Sequence, residues 1–212
     1  MYIPSLFAEE RLDVLHDAIE QTGLATLVTL TAGGLVATHL PMLLDREAGS
    51  RGVLYGHVAA ANHQWRDALP DTDALAIFSG PDAYISPAWY PSKSETGRVV
   101  PTWNYVAVHV YGRVTFFDDA KRLLDLVTKL TDRHEASLAE PWRVSDAPQA
   151  YIEGQLKAIV GFELPIGRIE GKWKVSQNRP APDREGAARG LRARAGEANC
   201  AVARLVEERG RK

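Results

Sequence analysis

Apolar positions fall at helical spacing near the start of the chain and then switch to strand-like alternation. Leu12, Leu15 and Ile19 share one stripe, which predicts a helix over 8–22 that stops at Gly23. The run LATLVTLTAGGLVATHLPMLLD places β-rich segments either side of Ala32-Gly33-Gly34 and predicts a hairpin. RGVLYGHVA predicts a third strand over 52–57, and a short helix over 59–68 follows, closed by Pro70. ALAIFSG predicts a compact apolar strand turned by Gly80-Pro81-Asp82. WNYVAVHVYGRVTFFD alternates long enough to predict the longest strand. Ala107, His109, Tyr111 and Arg113 take one of its faces, Val106, Val108 and Val110 the other, and Gly112 marks a bulge or a close approach. DDAKRLLDLVTKLTDRHE predicts an amphipathic helix with Leu123, Leu124, Val127 and Leu130 inward. A helix over 148–157, one or two strands in AIVGFELPIGRIEGKWKV and one C-terminal helix after Pro182 complete the pattern. Early hairpins with flanking helices, and no alternating βαβ units, predict an α+β fold with a barrel-like antiparallel sheet.

Composition narrows this without redirecting it. At 212 residues, 45% apolar and 25% charged, the chain suits one large soluble domain with a sizeable core. No apolar run approaches the roughly 20 residues that span a bilayer. The acidic MYIPSLFAEERLDVLHD reads against a signal peptide. Cys200 has no second cysteine to pair with, which points to a reducing cytoplasm. The net charge of −2 reads against non-specific nucleic-acid binding by the whole chain. Charge is nevertheless uneven: from Arg168 onward there are 12 Lys or Arg against six Asp or Glu. That excess fits a solvated basic helix, a subunit contact, a phosphate site or a nucleic-acid contact.

Chemistry enters through aromatic and polar clusters. Tyr84 to Tyr105 holds five of the 17 aromatic residues, interleaved with prolines and hydroxyls, and predicts a ligand wall. Dinucleotide, phosphate-loop, nucleophile-elbow and zinc-protease motifs are absent, and no metal site is expected. Four short motifs sit at strand ends instead. The first is Thr38, His39, Leu40 and Pro41; the second runs from Gly56 and His57 to Asn62, where a strand meets a helix. The third is Trp103, Asn104 and Tyr105, and the fourth spans Lys172 to Arg179, with Lys174, Gln177 and Asn178. Each also has a plainer reading. His39 suits a turn, Asn62 a helix buttress, Trp103 and Tyr105 a core, and the basic residues a solvated edge. Together they supply cations, rings and amides, the set a flavin mononucleotide (FMN) pocket needs.

THLP, GHVAAAN, FSGPDAYISPAWY, VPTWNY, IVGFELPI and KVSQNR, in that order over about 1–190, closely resemble the PaiB-type FMN-binding negative transcriptional regulators. The resemblance implies a pyridoxamine-phosphate-oxidase-like split β-barrel spanning 1–212 as a single domain, with 183–212 as a basic helical tail. It implies a cytoplasmic homodimer with flavin at the subunit interface and a role in repression. By the same resemblance, Thr38–Pro41 and Gly56–Asn62 hold the isoalloxazine edge and phosphate. Trp103, Asn104 and Tyr105 line the ring or come from the partner, and Lys174, Gln177 and Asn178 complete a polar rim. Ala60 stands where the family's usual GHVARAN carries arginine, which implies a weaker grip on the phosphate. Two other activities fit the same chain. One is a small flavin-dependent reductase or oxidase acting with a nicotinamide cofactor or small-molecule substrate; the other is heme binding through His39, His57 or His109. Direct DNA contact finds little support, because the 183–208 helix has no second helix to complete a helix-turn-helix.

Overall fold

The computed structural model describes residues 1–209; positions 210–212, the end of the expected basic tail, lie outside the described residues. The strands are β1 (Ala8–Glu9), β2 (Ala25–Thr31), β3 (Gly34–Leu40), β4 (Leu43–Asp45), β5 (Val53–Ala59), β6 (Ala74–Ile85), β7 (Thr102–Gly112), β8 (Thr115–Phe117), β9 (Ile159–Pro165) and β10 (Arg168–Lys174). The helices are α1 (Leu12–Gln21), α2 (Gln64–Asp67), α3 (Ser92–Thr96), α4 (Ala120–Glu135), α5 (Gln149–Leu156), α6 (Ala181–Arg194) and α7 (Glu197–Arg209). The expected α+β class with antiparallel pairing is present. The chain forms two compact units. The first gathers Met1–Leu15, Ser79–Val108 and the chain from Glu170 onward; the second gathers His16–Phe78 and His109–Ile169.

In the second unit, β2 pairs antiparallel with β3 and with the start of β6, and β4-β5-β9-β8 form a separate sheet. The predicted hairpin closes with Thr31 opposite Gly34. β5 and β9 share a seven-residue ladder in which Gly56 faces the fully buried Phe162. Asp119 caps α4 by accepting the Arg122 N–H at 2.8 Å. The inward stripe of α4 is Leu123, Leu126 and Leu130, which corrects the expected set: Leu124 turns outward. Spacings of three and four from Leu123 select that stripe, and Leu124 lies one step off it. The strand expected to be the longest stops at Gly112, because β8 leaves to pair with β9, and at 11 residues it is shorter than the 12 of β6. A Cβ on Gly112 would collide with the Pro165 carbonyl, so the expected close approach is real. The expected helix over 59–68 shrinks to the four residues of α2. The chain between Ala59 and Gln64 is spent on a turn, closed by the Asn62 N–H donating to the Ala59 carbonyl at 2.9 Å.

The first unit orders its strands β1-β10-β7-β6 and covers them with the C-terminal helices. The expected turn at Gly80-Pro81-Asp82 is absent, since β6 continues to Ile85. Gly80 leaves room there for Val106 of β7, 2.9 Å from where a Cβ would stand. The expected single C-terminal helix is two, broken where Ala195 and Gly196 take φ of 54° and 86°. Their core includes Ile85, Tyr90, Val175, Leu191, Val202 and Val206. Trp89 seats against α6 at Gly186 and Gly190, where a side chain would collide with its carbonyl and indole. The buried Asp183 holds the same segment by accepting the Ser92 N–H at 3.1 Å and hydroxyl at 2.6 Å. Two of the five rings of the expected ligand wall are therefore taken up by packing: Tyr90 is core, and Trp89 is partly buried against it.

The far end of α7 is held by Arg209, which pairs at 2.7 Å with the buried Glu9; Glu9 is also gripped by Arg11. The Arg11 guanidinium holds the Glu9 carboxyl down at about 2, against an ordinary 4.5. A folded value below the unfolded one means the stabilisation is present above about pH 4.5 and is lost as pH falls toward 2. Glu9→Gln is expected to cost about 1–3 kcal/mol at neutral pH and to flatten the acid limb of a denaturation-versus-pH profile. Gly190→Leu, which fills the Trp89 seat, is expected to cost about 1–3 kcal/mol or more in chemical denaturation.

Candidate functional site

In the second unit the first two motifs meet in a hydrogen-bond knot around Gln64, a buried residue that sequence reasoning did not single out. Thr38 Oγ1 donates to Gln64 Oε1 at 2.5 Å and accepts from Asn62 Nδ2 at 2.9 Å. Asn62 Oδ1 takes the Gln64 N–H at 2.9 Å. Gln64 Nε2 reaches the Leu27 and Val36 carbonyls and Thr29 Oγ1 at 3.1–3.2 Å. Much of the polar capacity of Thr38 and Asn62 is thus used inside the fold, and the buttress reading of Asn62 holds. The signal for Gln64 lay in its place at the start of a helix two residues after a capping-type asparagine.

The neighbouring residues divide by role. Leu40 is buried and Pro41 ends β3. Gly56 is fixed by packing, since a Cβ there would lie 2.6 Å from Phe162. His39 is exposed and meets Thr26 Oγ1 through Nδ1 at 2.9 Å. His57 Nδ1 is buried without a hydrogen-bond partner, and burial lowers the pKa of its ring. Ala60 sits in the β5–α2 turn, where its carbonyl accepts the Trp65 indole N–H at 3.1 Å.

In the first unit the alternation of β7 separates residues that the sequence grouped. Asn104 points inward, 1% exposed, and donates to Ser176 Oγ at 2.8 Å. Its Oδ1 and the Tyr90 hydroxyl are buried without partners, and Ser176 adopts a left-handed backbone at φ 66°. Gln177 is spent on its own turn, accepting the Val175 N–H at 2.7 Å and donating to the Trp173 carbonyl at 2.5 Å. Asn178 is exposed.

The opposite face of the same strands carries rings and cations. Trp103 is 54% exposed and meets Tyr84 edge-on, with centroids 6.1 Å apart. Lys174 donates to Thr102 Oγ1 at 2.5 Å and to the Trp103 carbonyl at 2.7 Å. Burial, and then Lys172, lowers its pKa. Lys172, only 8% exposed, donates to the Tyr2 carbonyl at 3.1 Å, and its ammonium stands 5.2 Å from the Tyr105 ring. Neither lysine has a carboxylate partner among the described residues. Two part-buried ammonium groups two residues apart on one strand face, beside exposed aromatic rings, make a place for a planar anion. The solvated-edge reading of these lysines therefore fails at Lys172.

The profile of the family described as "Putative FMN-binding domain" matches residues 1–168. Protease synthase and sporulation protein PAI 2 of Bacillus subtilis is 33% identical, over 86% of this chain and 85% of its own. The uncharacterized protein AN0679 of Emericella nidulans is 33% identical over 99% and 98%. Among solved structures, the flavocytochrome Anf3 of Azotobacter vinelandii superposes with a TM-score of 0.57 at 18% identity, over 79% of this chain and 69% of that one, a likeness of fold.

Gln64→Leu is expected to lower stability by at least about 2 kcal/mol, because it orphans Thr38 and the Leu27 and Val36 carbonyls. Thr38→Val and Asn62→Ala are expected to couple by about 0.5–3 kcal/mol in a double-mutant cycle read by urea denaturation.

Proposed function

The chain belongs to the FMN-binding, PaiB-type split-barrel family, and from that premise we propose that it is a cytoplasmic flavin-binding homodimer with a regulatory role. The observation that carries the binding is the pair Lys172 and Lys174, part-buried cations with no carboxylate between them. The donor set fits FMN. The lysines would hold the phosphate, charge-assisted and partly desolvated. The exposed Trp103 and Tyr84 offer an aromatic face to the ring system. Bound FMN supplies a ring that takes up and returns electrons or hydride. The protein's contribution is a cationic, ring-lined surface that orients it.

Assembly as a homodimer has its own support. β3 is an edge strand that leaves Leu35 76% and Val36 36% exposed. Apolar side chains on an open edge favour burial against another copy. The regulatory role is supported by the relative whose name ties it to protease synthesis and sporulation. Among the described residues no helix is long and apolar enough to cross a membrane. A flavin-dependent oxidoreductase is the second reading, favoured by the open Trp103 face, where a second planar molecule could stack.

Titrating the purified protein with FMN and with riboflavin tests the binding. FMN is expected to bind more tightly, and Lys172→Gln and Lys174→Gln are each expected to cost roughly tenfold in FMN affinity while sparing riboflavin. Equal affinity for both flavins in all three proteins would sink the assignment, and a Soret band on the purified protein would point to heme instead. Leu35→Lys is expected to shift the dimer to monomer in sedimentation. Rapid reduction of bound flavin by NADH or NADPH would favour the oxidoreductase reading.

A further inference from the structure

The second unit contains a cavity of about 610 Å³ that none of the flavin chemistry uses. It opens between β4, β5 and α4, with a floor of Leu44, Tyr55, Phe117 and Leu126. The volume suits a small organic molecule. Charged groups ring the floor, and their pairing decides what the cavity accepts. Arg46 binds Asp17 at 2.7 Å and Glu20 at 2.5 Å. Arg122 lies 3.8 Å over the Phe117 ring and binds Glu163 at 2.7 Å. Lys129 binds Asp125 at 2.8 Å, and the Arg133 guanidinium donates to the Glu20 carbonyl. Every cation at the rim is occupied. Asp45 and Asp132, which also line the cavity, have no ion pair among the described residues; Asp45 accepts only the Glu47 N–H, at 3.1 Å.

Two carboxylates without an ion pair therefore stand beside an apolar, aromatic floor, Asp45 within electrostatic reach of Lys129. Burial, then Glu163 and Asp45, push the Tyr55 phenol's pKa up, against the opposing pull of Arg122 and Lys129. An anion would meet no free cation here. A bare metal ion is poorly served too, because no group of three metal-capable side chains occurs among the described residues. We propose that this cavity binds an organic amine, with its ammonium at Asp45 and Asp132 and its hydrocarbon or aromatic body on Tyr55, Phe117 and Leu126. The cavity is lined by residues of the second unit alone, and the proposal does not depend on the flavin assignment.

The test uses the full chain, isotope-labelled, with and without added FMN. 2-Phenylethylamine and 3-phenylpropionate, similar in size and opposite in charge, are titrated by NMR. The amine is expected to saturate with shifts at Leu44, Tyr55 and Leu126, and the carboxylate to bind at least about tenfold more weakly. Asp45→Asn and Asp132→Asn lie at the rim, outside the core, and each is expected to weaken the amine several-fold, on the order of one lost partly screened charge. In the unaltered protein, raising the salt from about 0.05 to about 0.5 M is expected to weaken it as well. Equal binding of the two probes, no saturable binding of the amine, or amine affinity indifferent to both aspartates and to salt would overturn the proposal.

Discussion

The seat of Trp89 on α6 is the contact on which the first unit depends. Gly186 and Gly190 lie one helical turn apart, so their missing side chains make a continuous notch on one face. An indole and its own carbonyl fill that notch. The fit fixes α6, α6 fixes α7, and both cover Ile85, Tyr90 and Val175. Val175 follows directly on β10, so the helices set the strand that carries both lysines. A segment rich in proline and serine thus becomes core because its chain turns an aromatic ring under a helix, with Asp183 tying down the residues beyond it.

Gln64 plays the corresponding part in the second unit, by polar means. One buried amide joins α2 to β2 and β3 through several hydrogen bonds. Such a network is stable only when every member is satisfied, which makes it a rigid joint. This changes the meaning of Thr38 and Asn62: what looks like a set of ligand donors in the sequence is largely an internal brace. His57 keeps a buried nitrogen without a partner in the same unit.

Periodicity made much of this legible. The alternation of β7 appears as read, down to the inward valines, and the β2–β3 hairpin closes beside the expected glycines. The failures share a cause. Gly80-Pro81-Asp82 looks like a turn but lies within β6, because a neighbouring valine needs the space. Trp89 looks like a ligand wall but packs under α6, where the receiving glycines stand about 100 residues away in sequence. Pairing between distant segments outweighs local preference in each case. The family motifs were legible as a set, while the roles of single residues were not, since Asn104 and Trp103 are neighbours in sequence and opposite in space.

β10 serves two surroundings at once. Trp173 belongs to the interior, while Lys172, itself almost fully buried, and the half-buried Lys174 lie on the opposite face, the one proposed to meet the flavin. Tolerance to substitution along this strand should therefore oscillate with a period of two. At one position a change would be felt as lost folding, and at the next as lost recognition in a protein that still folds. A survey of variants over this stretch would separate into two interleaved phenotypes, and the boundary between stability and binding would run along the pleat of a single strand.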